Sequence, residues 1–208
     1  MKKAGRLAAW ILVAAVIVGC ASAGPGTFET DGVSYRDDQD LQRVWLADGA
    51  DFRAFDTIVV GETQVDVAKL DPDGKQSLQW ARGYLRDEIV TALRAKNVAK
   101  LVTANPADVR PGARVLRLEN TVVEYEKGGG GARFFAGVYG AGQPVIRVRG
   151  RLTDGNKPVL LYVARRSGDT GLARAFGGYR SDQAIQEEDI KDLAVDLADF
   201  LARNGRPR

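Results

Sequence analysis

The side chains here that could do chemistry are few in kind. The chain has 208 residues and no histidine, which removes the usual general base, metal ligand and pH switch. Its single cysteine is Cys20, so Cys/His zinc sites and Ser-His or Cys-His nucleophile systems are excluded within it. Acid–base work falls to carboxylates, lysine or tyrosine. Three carboxylates, Glu119, Glu124 and Glu126, share one apolar-rich run, and a pair of carboxylates is the tool of glycoside hydrolysis. Strict strand alternation puts Glu119 on the opposite face from the other two. Glu124 and Glu126 are then the pair left for a hydrolase.

Arg147, Arg149 and Arg151 alternate with Ile146, Val148 and Leu152. That period of two marks a strand with one face on the core and one in water. The arginines are expected to pair across strands with acids such as Glu119 or Glu124, or else to meet an anionic ligand or partner. The "DPDG" at 71–74 resembles half a calcium loop but lacks the third acidic position and the distant glutamate, so it reads as a turn and no metal is expected.

Residues 127 to 143, "KGGGGARFFAGVYGAGQ", contain seven glycines interleaved with aromatics. A phosphate loop needs Gly-Lys-Ser/Thr and a following helix; neither is present, so no nucleotide or other cofactor is expected. Two readings stay open. The segment is a long loop between antiparallel strands whose aromatics tuck into the domain, or an apolar patch that docks on a partner or lipid. In the second, Arg133, Phe134, Phe135 and Tyr139 are the candidate partner-binding residues.

Lys2, Lys3 and Arg6 precede an apolar run from Leu7 to Val18. About a dozen residues fall short of the roughly 20 that a membrane span needs, and the pattern is that of an export signal. Ile17-Val18-Gly19-Cys20 resembles the lipobox of bacterial lipoproteins. The resemblance implies that residues 1–19 are a signal peptide and that Cys20 is acylated as the first mature residue. Ala21, where an inner-membrane retention signal carries aspartate, implies the outer membrane, with the protein on its periplasmic face. Without the signal's three cations, 27 Lys+Arg stand against 27 Asp+Glu, so nothing in the charge points to nucleic acid.

Residues 20–44 are small and polar and read as a lipidated tether, followed by one globular domain over 45–205. "FDTIVVGE" reads as a strand buried on both faces. Leu78, Ala81, Leu85, Ile89, Ala92 and Leu93 make the apolar stripe of a helix. A short strand "VAKLV", a long one over "ARVLRLENTVVEYEKG", "PVIRVRGRLTD", a "DGNK" hairpin turn and "PVLLYVARR" follow. The last helix buries Ile190, Leu193, Leu197, Phe200 and Leu201, with Ser181 or Asp182 as its cap and Gly205 at its end. The expected fold is α/β, a two-layer sandwich with a mostly antiparallel sheet of about five strands and two helices on one face.

The lipobox, "FDTIVVGE", "ARFFAGVYGAG", the strand pair through "GRLTDGNKPVLLY" and "DLAVDLADFLAR" together resemble domain-of-unknown-function family 4410, bacterial envelope lipoproteins, over about Phe55 to Arg203. The matching positions include Arg133, Gly137, Gly140, Gly142 and Asp154. The resemblance implies a fold similar to the amino-terminal domain of TolB and brings no catalytic residue. The expected role is a non-enzymatic binding or assembly module with an envelope protein partner. The alternatives are a carboxylate-based envelope glycan hydrolase and a subunit of an oligomeric outer-membrane pore.

Overall fold

The structure, a computed structural model, describes residues 33–67, 72–128, 144–168 and 181–204. The strands are β1 (Arg36–Asp37), β2 (Arg43–Leu46), β3 (Thr57–Val60), β4 (Gln64–Val65), β5 (Leu101–Thr103), β6 (Val115–Glu126), β7 (Val145–Asp154) and β8 (Lys157–Ser167). Helix α1 spans Pro72–Ala95, and α2 spans Asp182–Asn204. The strands form one sheet of eight in the order β1-β2-β8-β7-β6-β3-β5, with β4 also on β6. Pairing is antiparallel from β1 through to β6 and parallel where β3, β4 and β5 join. The sheet is thus mixed, and larger than the five strands expected. The extra ones are β1, β2 and β4, of two, four and two residues, too short to show a period.

Two of those strands also move the start of the domain. Residues 34–44, expected to be tether, belong to the folded unit, which begins at Ser34. Leu41 and Val44 are fully buried in the core. Polar contacts bolt the segment down as well. Asp38 Oδ1 accepts the N–H groups of Asp40 and Leu41 at 3.0 Å each. Arg166 donates to the Asp40 carbonyl at 2.8 Å and pairs with Asp196, while Arg203 pairs with the Asp40 carboxylate.

Both helices lie on one face of the sheet. Their stripes, Leu78 to Leu93 and Ile190 to Leu201, bury against Leu116, Leu118, Ile146, Val148, Leu152 and Leu160 in a single core. The helix ends follow local chemistry. Pro72 opens α1, so the "DPDG" motif is partly helical rather than a turn ahead of the helix; proline suits a first helical position because its missing N–H is not needed there. At the other end Asn97 takes φ 50. Its N–H bonds the Arg94 carbonyl at 3.0 Å and the Val98 N–H bonds Leu93 at 3.2 Å, the paired closure of a Schellman motif. Ser181 caps α2, its Oγ accepting from the Ala184 N–H at 3.1 Å.

The centre of the sheet holds one polar exception. Asn120, Gly150 and Tyr162 stand opposite one another on β6, β7 and β8, facing the helices. The Tyr162 ring lies over Gly150 and its hydroxyl donates to Asn120 Oδ1. A Cβ at Gly150 would come within 2.1 Å of Tyr162 Cε1. The glycine leaves room for the ring, and the ring brings the donor that the buried amide oxygen requires.

Candidate functional site

The long hairpin β7–β8 turns at Gly155-Asn156, with Asp154 paired to Lys157. Gly155 supplies φ 56 at the first central position, as a type II′ hairpin requires. With β6 on its other side, the hairpin presents a ladder on the face away from the helices. In cross-strand rows, Glu119 stands beside Arg151, Thr121 beside Arg149, and Glu124 beside Arg147, with Arg165 next to Arg147. Arg43 joins the same face from β2, opposite Val163, and Arg117 joins it from β6.

The expected alternation fails at one place, with a consequence for the carboxylates. The β6–β7 register slips between Val122 and Glu124: Val123 is an extra residue, a bulge. Leu118 and Val122 face the core before it, and Tyr125 faces the core after it. Glu119, Glu124 and Glu126 therefore share the outer face, correcting the expectation that Glu119 lies opposite the other two. The bulge also brings Glu124 to arginine. Its Oε2 lies 3.0 Å from Arg147 Nη2 and its Oε1 lies 3.6 Å from Arg165 Nη2. Glu119 Oε2 accepts from Arg151 Nε at 2.6 Å. The expected cross-strand pairs are present.

A second polar cluster has no counterpart in the sequence reading. Where α1 and α2 begin, the Tyr125 hydroxyl donates to Gln186 Oε1 at 3.1 Å and shares a 2.5 Å hydrogen bond with the Ser77 hydroxyl. Burial pushes the Tyr125 phenol above its ordinary pKa, and the two hydrogen bonds pull the other way. A cavity of about 360 Å³ opens here, lined by Gln76, Trp80, Lys127, Asp182 and Gln183 as well as Ser77 and Gln186. The signal was present but faint: Gln186 falls one turn before Ile190 on the apolar stripe of α2, where a polar residue calls for a buried partner.

The remaining candidates, Cys20, Arg133, Phe134, Phe135 and Tyr139, lie outside the described residues, as do Gly137, Gly140, Gly142 and Gly205. Among the described residues no cluster of histidine, cysteine, aspartate and glutamate is placed to hold a metal ion. Among them, too, no helix is long and apolar enough to cross a membrane.

No family model matches the chain, and no curated protein matches it. Among solved structures, it is similar to the PelC dodecamer from Paraburkholderia phytofirmans, at 19% identity over 74% of this chain and 96% of that one, with a TM-score of 0.46. It is similar to protein XCC0632 from Xanthomonas campestris, of domain-of-unknown-function family 330, at 12% identity over 77% and 91% with a TM-score of 0.43. A neuraminyllactose-binding hemagglutinin homolog from Helicobacter pylori matches at 9% identity over 77% and 91%, with a TM-score of 0.35. None of these likenesses assigns a role to any residue here.

Proposed function

We propose that this chain is a bacterial lipoprotein of the kind gathered in family 4410, held by lipid on Cys20 at the periplasmic face of the outer membrane, and that it works there as a non-enzymatic binding or assembly module. Its docking surface is the arginine ladder opposite the helices, and the partner is an envelope protein with an acidic surface. Arg133, Phe134, Phe135 and Tyr139, the partner-binding residues expected from the sequence, take part in the same contact.

The observation that supports this reading is the state of Glu124. Both of its oxygens face guanidinium groups, whereas a catalytic carboxylate must present an oxygen to its substrate. Arginine in such an array suits recognition instead. Its planar fork matches carboxylates, and arginine is enriched among the residues that dominate protein interfaces.

The test has two arms. Mass analysis of the membrane-bound form should give a chain beginning at acylated Cys20, and the Arg149→Glu/Arg165→Glu variant should lose its co-purifying envelope protein while keeping its circular dichroism. Phe134→Ala with Phe135→Ala should do the same. A membrane-bound chain with an intact Met1 overturns the anchor. A turnover on envelope glycan that Glu124→Gln abolishes overturns the binding role.

A further inference from the structure

The ends of the parallel strands hold a second concave site, at the edge of the ladder and sharing Arg117 and Glu119 with it. β3 and β5 both run parallel to their neighbours and finish at the same rim, and in α/β sheets the crevice outside the carboxyl ends of parallel strands is where ligands bind. A cavity of about 300 Å³ lies there, lined by Gly61 and Glu62 after β3, Ala104 and Pro106 after β5, Arg86 of α1, and Arg117 and Glu119 of β6.

The charges around it are unevenly committed. Glu119 is taken by Arg151 at 2.6 Å, and Glu62 lies 3.7 Å from Arg82; neither of those arginines lines the cavity. Arg86 Nε is buried without a hydrogen-bond partner, and its ion-pair neighbour is the adjacent Asp87 at 3.5 Å. Arg117 makes no ion pair among the described residues. Two guanidinium groups thus line a concave site whose own acids each face an arginine outside it.

We infer that this crevice binds a small oxyanion, a carboxylate or phosphate group, between Arg86 and Arg117. Forked guanidinium donors match both groups in geometry and charge. The site would take the anionic end of a small ligand, and it does not depend on the lipid anchor.

The experiment is calorimetric titration of the full chain in neutral detergent with inorganic phosphate and, separately, with malonate. Saturable binding of either probe is expected, and which probe binds more tightly tells a phosphoryl ligand from a carboxylate one. Arg117→Gln should weaken that binding about tenfold, the loss of about one charge-assisted hydrogen bond, and Arg86→Gln should do likewise. Arg117 is exposed, so its variant remains a valid test if Arg86→Gln proves poorly folded. The Arg149→Glu/Arg165→Glu variant, whose altered positions do not line the cavity, should titrate as the wild type, which separates this site from the docking contact through Arg149 and Arg165. Absence of binding by both probes overturns the inference, and so does binding that Arg117→Gln leaves unchanged.

Discussion

Gly150 is where a single atom decides the packing. The Tyr162 ring occupies the space above it, and an added Cβ would stand 2.1 Å from that ring. Gly150→Ala must therefore displace Tyr162 or the strand, costing about 1–3 kcal/mol as overpacked cores do. If the displaced hydroxyl also leaves Asn120 Oδ1, a buried acceptor loses its donor. Urea unfolding of Gly150→Ala beside Tyr162→Phe checks this: both should lose stability, with Tyr162→Phe showing the hydrogen-bond share alone. Wild-type stability in Gly150→Ala would contradict the packing. Asp56 makes a prediction of the opposite, exposed kind. The Lys100 ammonium hydrogen-bonds its Oδ1 at 2.8 Å and the Arg114 N–H its Oδ2 at 3.2 Å, and these hold its carboxyl below the ordinary 3.8. A lowered folded-state pKa gives stability that is complete above the unfolded value and lost as pH falls through the folded one. The stability difference between wild type and Asp56→Asn should accordingly be largest near neutrality and shrink below about pH 4. A difference constant down to pH 2 would contradict the linkage.

Elements carry the next scale, and there the bulge in β6 is the decisive detail. Because Val123 is the extra residue, deleting it would leave a regular strand with every face unchanged: Val122 still opposite Val148, Glu124 still opposite Arg147. The deletion should cost less than the roughly 1–3 kcal/mol of a core defect. Deleting Arg117 instead would turn Leu118 through Val122 over and should abolish cooperative melting. Thermal denaturation of the two deletions reads this directly, and equal damage from both would contradict the register. This is also where the sequence stopped being legible. The two helical stripes, the long strands and the Asp154–Lys157 turn were readable because they repeat or carry turn chemistry over several residues. A bulge leaves no mark in composition, so the faces of Glu119 and Glu124 were misread relative to each other. β1, β2 and β4 were missed because two to four residues hold no period; β2 and β4 form along the edges of the long strands β8 and β6, and β1 pairs with β2. The Ser77–Tyr125–Gln186 cluster joins residues far apart in sequence, which only the folded chain brings together.

At the scale of the whole molecule, the two layers divide the work. One face of the sheet is spent on α1 and α2, and the other carries the ladder, so a partner that binds through the ladder leaves the helices free. The folding of residues 34–44 into the sheet also shortens the tether that the proposed lipid on Cys20 would give the domain. On that proposal the 14 residues from Cys20 to Val33 could span at most about 46–50 Å, at about 3.3–3.6 Å per residue. The most direct measurement is photo-crosslinking in intact cells from two positions: Thr121, in the ladder beside Arg149, and Val195, exposed on α2. The account predicts one envelope protein captured from Thr121, lost when Arg149→Glu/Arg165→Glu is introduced, and absent from Val195. Capture from Val195 as strong as from Thr121, or capture from Thr121 that survives the charge reversal, would contradict it.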